Sequence, residues 1–115
     1  MIHLFESLIV TIGAPTIVNF KEHVFAVIGQ PVYLDCNAKG YPLSTFKWFK
    51  DGWENLATDQ EYKIFENGTL LIASVSKVNK GRLKCQALNR FGQQEKTVML
   101  NVLGMLFVQQ MQMLI

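Results

Sequence analysis

Residues 34–52 read LDCNAKGYPLSTFKWFKDG, which sets Cys36 twelve positions before Trp48 on two short alternating apolar runs. What Cys36 is for decides the fold, since a cysteine can react, hold a metal or pin a core. In PVYLDCNA, Val32, Leu34, Cys36 and Ala38 share one side, and Tyr33, Asp35 and Asn37 share the other. That period of two is the pattern of a strand with one buried face. KGYP is a turn. STFKWFK then carries Phe46 and Trp48 on one face and Lys47 and Phe49 on the other, before Asp-Gly closes the run.

The same pattern extends in both directions, from about Pro15 to Leu103. HVFAVIG ends at a glycine, and EYKIF places Tyr62 and Ile64 together. ENG turns the chain into TLLIASV, where Leu70 and Ile72 share a face with Val75 close by. GRLKCQALN keeps Leu83, Cys85 and Ala87 in step, RFG turns, and QQEKTVMLNVL supplies Val98, Leu100 and Val102. A helical period fits none of these runs better. Short alternating strands separated by turn residues predict an all-β, two-sheet sandwich.

Two such sheets pack about 10 Å apart over their inward residues. Cys36, Trp48 and Cys85 all fall on inward positions, the cysteines on runs about fifty residues apart. A disulfide across the core with the indole packed on it satisfies the three placements together. A loop of that length contributes on the order of 4 kcal/mol in the chain-entropy treatment. Cys36 is read as the pin.

Composition narrows the function classes. A chain of 115 residues holds one domain. The net charge of +2 is small and its Lys and Arg are scattered, so no phosphate-binding stripe stands out. Two cysteines and two histidines, His3 and His23, do not assemble a four-ligand zinc site. No C-x-x-C spacing or nucleophile–base set is present, so no catalytic residue, metal or cofactor is expected. No apolar run reaches the roughly 18 residues of a membrane helix. Residues 1–14 make a poor leader or a truncated N-terminal segment, with Glu6 interrupting the apolar stretch. Residues 104–115 form an uncharged apolar tail: a strand overrun, a short helix, or the end of a truncated message.

Cys36, Trp48, NGTLLI at 67–72 and GRLKCQALN at 81–89 stand in an order and spacing that resembles an immunoglobulin domain, over residues 15–103. The lack of extra strands after the tryptophan strand points to the I-set. AKGYPLSTFKWFKDG followed by ENGTLLI is most similar to the domains of Down syndrome cell adhesion molecule (Dscam) type receptors. The resemblance implies a Greek-key sandwich in a cell-surface adhesion receptor that binds copies of itself. Two positions depart from the family pattern. Leu83 replaces a tyrosine whose hydroxyl bonds back to a corner of the sandwich, and Asn79 replaces an aspartate. Two polar ties of about 1 kcal/mol each are therefore expected to be missing, with a less stable domain as the result.

The expected core is Leu34, Trp48, Leu70, Ile72 and Leu83 around Cys36 and Cys85. Asn67-Gly68-Thr69 is a glycosylation sequon, although Asn-Gly is also a type I′ hairpin pair. Outward residues give two candidate faces. One holds Tyr33, Asp35, Lys63, Phe65, Leu71 and Ala73, the face that antiparallel self-pairing uses in Dscam-like domains. The other holds Phe49, Leu88 and Met99 among Lys47, Lys84 and Gln86. The first is expected to bind a second copy of the domain, Asp35 meeting Lys63 across a two-fold contact. The alternatives are an intracellular I-set domain of a filament protein, with reduced cysteines, and a secreted binder of a heterologous ligand. No nucleic-acid partner is expected, and membrane attachment would come from other parts of a larger receptor.

Overall fold

Trp48 has no exposed surface, and the strands arrange themselves around it. The computed structural model describes residues 2–5, 8–51 and 54–113. In chain order the strands are β1 (Ile2–Phe5), β2 (Leu8–Thr11), β3 (Gly13–Val18), β4 (His23–Val27), β5 (Val32–Leu34), β6 (Asn37–Tyr41), β7 (Thr45–Lys50), β8 (Glu54–Asn55), β9 (Tyr62–Ile64), β10 (Leu70–Ile72), β11 (Gly81–Asn89) and β12 (Gly92–Leu103). A helix, α1 (Met105–Met113), follows. Gly52, half of the expected Asp-Gly turn, lies outside the described residues.

One layer is five-stranded, in the order β4-β12-β11-β7-β8, and the facing ladder is β5-β10-β9. β6 continues the run of β5 after a break at Asp35 and Cys36 and pairs with β3. All pairings are antiparallel except β4 with β12, which run parallel from His23–Met99 to Val27–Leu103. β1 and β2 pair as a separate hairpin. The all-β sandwich is therefore present, with one addition. The two-residue β8 pairs with the end of β7, Phe49 opposite Asn55 and Lys50 opposite Glu54, where no further strand was expected.

The alternating runs bury the faces their period predicts. Leu83, Cys85 and Ala87 are fully buried on β11, and Leu70 and Ile72 on β10, with Leu34 at 3% exposure. Cys36 and Cys85 are joined, with Cα atoms 6.5 Å apart. This bond ties the β5–β6 junction to β11 and so crosses between the layers. Phe20 packs against Trp48 at 6.5 Å between ring centroids. The indole Nε1–H donates to the Gly68 carbonyl at 2.8 Å, which meets the one polar demand of a buried tryptophan.

Two expectations need correction. The Asn67-Gly68 turn is not type I′, which requires positive φ at both central residues. Only Gly68 has it, at +97°. Phe65 N–H donates to Thr69 C=O and Gly68 N–H to Phe65 C=O, so three residues close the β9–β10 hairpin and Gly68 supplies the left-handed position. A polar tie is also present where both were expected to be absent. Leu83 is apolar and buried as anticipated, but Asn79, 1% exposed, donates from Nδ2 to the Tyr62 hydroxyl at 2.9 Å. Its Oδ1 accepts from Ser76 N–H at 2.7 Å and from Ser76 Oγ at 3.3 Å. A tyrosine on β9 thus supplies a hydroxyl that β11 lacks.

Candidate functional site

Register fixes what the β5-β10-β9 ladder presents outward. Tyr33, Leu71 and Lys63 are direct neighbours across the three strands. Two residues along, Asp35, Thr69 and Phe65 make the next row, closed by the Phe65–Thr69 backbone bond and by Thr69 Oγ1 donating to Asp35 Oδ1 at 3.3 Å. The structure therefore brings Tyr33, Asp35, Lys63, Phe65 and Leu71 together, while Ala73 is exposed just past the end of β10. Tyr33 is 60% exposed, while Leu71 and Phe65 are half-buried. Asp35 and Lys63 sit on a diagonal of this grid. Asp35 is held by Thr69, and the Lys63 ammonium lies over the Phe65 ring, 5.0 Å from its centroid.

The opposite face is better covered. Lys84 lies 5.1 Å from the centroid of Phe49 and pairs with Glu95 at 3.0 Å. Gln86 donates to Gln93 at 3.1 Å, and Leu88 and Met99 are half-buried. Long polar side chains thus screen the apolar surface here.

A pocket of about 290 Å³ opens where the chain steps from β3 to β4, with Asn19, Lys21, His23, Phe25, Tyr33 and Asp35 in its lining. It adjoins the Tyr33 corner of the candidate face. Phe25, 66% exposed, belongs to this region and was not singled out from the sequence. The alternation of HVFAV carried the signal, because Ala26 is buried and the residue before it on a strand must point outward.

Chemistry is sparse elsewhere. His23 is exposed, and the side chain of His3 is not described. Among the described residues no group of three or more His, Cys, Asp or Glu is placed to hold a metal ion. Burial pushes the Tyr62 phenol above its ordinary pKa of 10.0, the Asn79 hydrogen bond pulls it back, and the charges of Asp59, Glu61 and Glu54 add to the rise. This tyrosine serves the core, not the surface. Among the described residues no helix is long and apolar enough to cross a membrane.

A disulfide-pinned two-sheet sandwich closed over a buried tryptophan defines an immunoglobulin-type domain. The immunoglobulin I-set domain profile matches residues 15–102, and the chain belongs to that family. Neural cell adhesion molecule 1 of Rattus norvegicus is 33% identical over 105 residues, covering 85% of this chain and 12% of that protein. Sidekick-1 immunoglobulin domains 1–4 superpose with a TM-score of 0.72 at 26% identity, over 78% of this chain and 24% of that one. The titin domains z1z2 in complex with telethonin superpose with a TM-score of 0.69 at 31% identity, over 82% and 50%. The chain spans between 2% and 12% of the length of the curated relatives it matches. Immunoglobulin domains of cell-adhesion proteins are thus among its relatives, and titin domains share its fold.

Proposed function

We propose that this domain is a non-enzymatic recognition module of a cell-adhesion protein, acting outside the cell and binding a second copy of itself through the β5-β10-β9 face. The observation that supports this most directly is the outward grid of Tyr33, Leu71 and Lys63 beside Asp35 and Phe65. It combines an exposed aromatic, a half-buried apolar centre and one charge of each sign at opposite corners. Apolar centres rimmed by polar groups are what modest protein interfaces use. In a two-fold contact the Asp35–Lys63 pairing would occur twice. A single domain binds weakly, and neighbouring domains in a longer chain would raise the avidity.

Sedimentation velocity of the oxidised domain, from micromolar to near-millimolar concentration, tests this reading. A reversible monomer–dimer equilibrium is expected. Asp35→Lys should weaken it roughly tenfold, at up to about 1 kcal/mol for each of the two exposed pairs. Adding Lys63→Asp to that variant should restore it. A monomer at every concentration sinks the homophilic reading and leaves a heterologous ligand.

The likeness to titin z1z2 favours a second reading, a structural domain of an intracellular filament. That reading needs reduced cysteines. Thiol counting after unfolding the natively produced protein separates the two: two reactive thiols for the filament domain, none for the adhesion module.

A further inference from the structure

At the tip of the β9–β10 hairpin Gly68 serves the core through its carbonyl, but Asn67 beside it serves neither the core nor the Tyr33–Leu71–Lys63 row. Asn67 is exposed there, and its Oδ1 accepts from the Thr69 backbone N–H at 3.0 Å. The amide nitrogen Nδ2 makes no hydrogen bond among the described residues. Asn67-Gly68-Thr69 is the one Asn-x-Ser/Thr triplet in the chain. Beside it lies a shallow apolar depression of about 830 Å³, with Ala38, Leu43, Phe46, Ile64 and Phe65 in its lining and Asn67 at its rim. Leu43 is 84% exposed. An open apolar hollow with a chemically free amide on its edge calls for a cover that the described residues do not supply.

We infer that Asn67 carries an N-linked glycan whose innermost sugars lie in this depression, their C–H faces against Leu43, Phe46 and Phe65. The donor is an oligosaccharide linked through C1 to a lipid diphosphate. A bond forms between Asn67 Nδ2 and C1 while the C1–O bond to phosphate breaks. The lipid diphosphate leaves with the electron pair, and the amide proton passes to a base of the transferase. Phe65 lines both the depression and the candidate face, so an occupied Asn67 narrows that face towards Tyr33 and Asp35. The inference shares with the adhesion reading a need for passage through a secretory compartment. It does not need self-association, and the two fail independently, one by mass and the other by sedimentation.

The test is to express the full chain behind a cleavable secretory leader in cultured eukaryotic cells. Secreted and cell-retained fractions are both treated with peptide N-glycosidase in heavy-oxygen water. The expected result is labelled aspartate at position 67 in most of the material, lost in Asn67→Gln and kept in Thr69→Ser. Unlabelled Asn67 in both fractions overturns the site. Placement is read by nuclear Overhauser contacts from the N-acetyl methyl of the innermost sugar to the Leu43 methyls and the Phe46 and Phe65 rings. An occupied site showing none of these contacts overturns the placement in the depression.

Discussion

Tyr62→Phe removes a single oxygen from the interior and leaves the ring in place, so its effect isolates the bond between β9 and Asn79. Asn79 is 1% exposed, and its Nδ2 has the Tyr62 hydroxyl as acceptor at 2.9 Å. Losing that acceptor strands a buried donor, at about 1–3 kcal/mol. For a domain of this size each kcal/mol lowers Tm by roughly 4–8 °C, so a fall of about 4–24 °C is expected. Thermal and urea unfolding of the oxidised protein at neutral pH measure it. A double-mutant cycle with Asn79→Ala should return a coupling well above zero, since the two groups are in contact. A high-pH arm gives a second reading. Because burial raises the folded-state pKa of Tyr62 above 10.0, the unfolded chain releases this proton first as pH rises. The phenol's contribution is fully present below pH 10.0 and is lost as the pH climbs from there through the folded pKa. Tyr62→Phe should flatten that loss. A variant within 0.5 kcal/mol of the parent, uncoupled from Asn79 and equally sensitive to alkali, would refute the assignment of this bond as a structural tie.

Gly68→Ala should cost at least about 2 kcal/mol, because φ there is +97° and a Cβ would run into the Cys36 carbonyl and the Phe46 ring. The same change disturbs the carbonyl that receives the Trp48 indole, so tryptophan emission should shift with the urea midpoint. Reducing the Cys36–Cys85 bond opens a loop of 49 residues' separation and should lower stability by about 4 kcal/mol, read as a drop in urea midpoint with reductant present.

The inward residues were legible because a strand with one buried face writes its period into the chain. Leu83, Cys85 and Ala87, or Leu34 and Cys36, need no tertiary knowledge to be placed together. The same period aligned Tyr33, Lys63 and Leu71 as outward residues, and register alone makes them neighbours. What stayed hidden depends on contacts remote in sequence. The Tyr62–Asn79 bond joins residues on separate elements, and neither position by itself announces a polar partner. β8 is two residues long, too short to carry a period, and exists because β7 offers it an edge. The turn type at Asn67-Gly68 was misjudged because Asn-Gly serves more than one hairpin geometry, and the close packing of Gly68 on Cys36 and Phe46 selects among them.

The parallel pairing of β4 with β12 has a mechanical consequence. The chain enters this ladder at His23 and leaves it at Leu103, at opposite ends of the pair. Tension applied at those two points would slide the two strands past each other, so the bonds from His23–Met99 to Val27–Leu103 bear load together rather than peeling in turn. Beyond that yield point the Cys36–Cys85 bond withholds a separation of 49 residues, about 160–175 Å of contour at 3.3–3.6 Å per residue. Oxidised, the domain is a short tether with a hard stop; reduced, it pays out its full length.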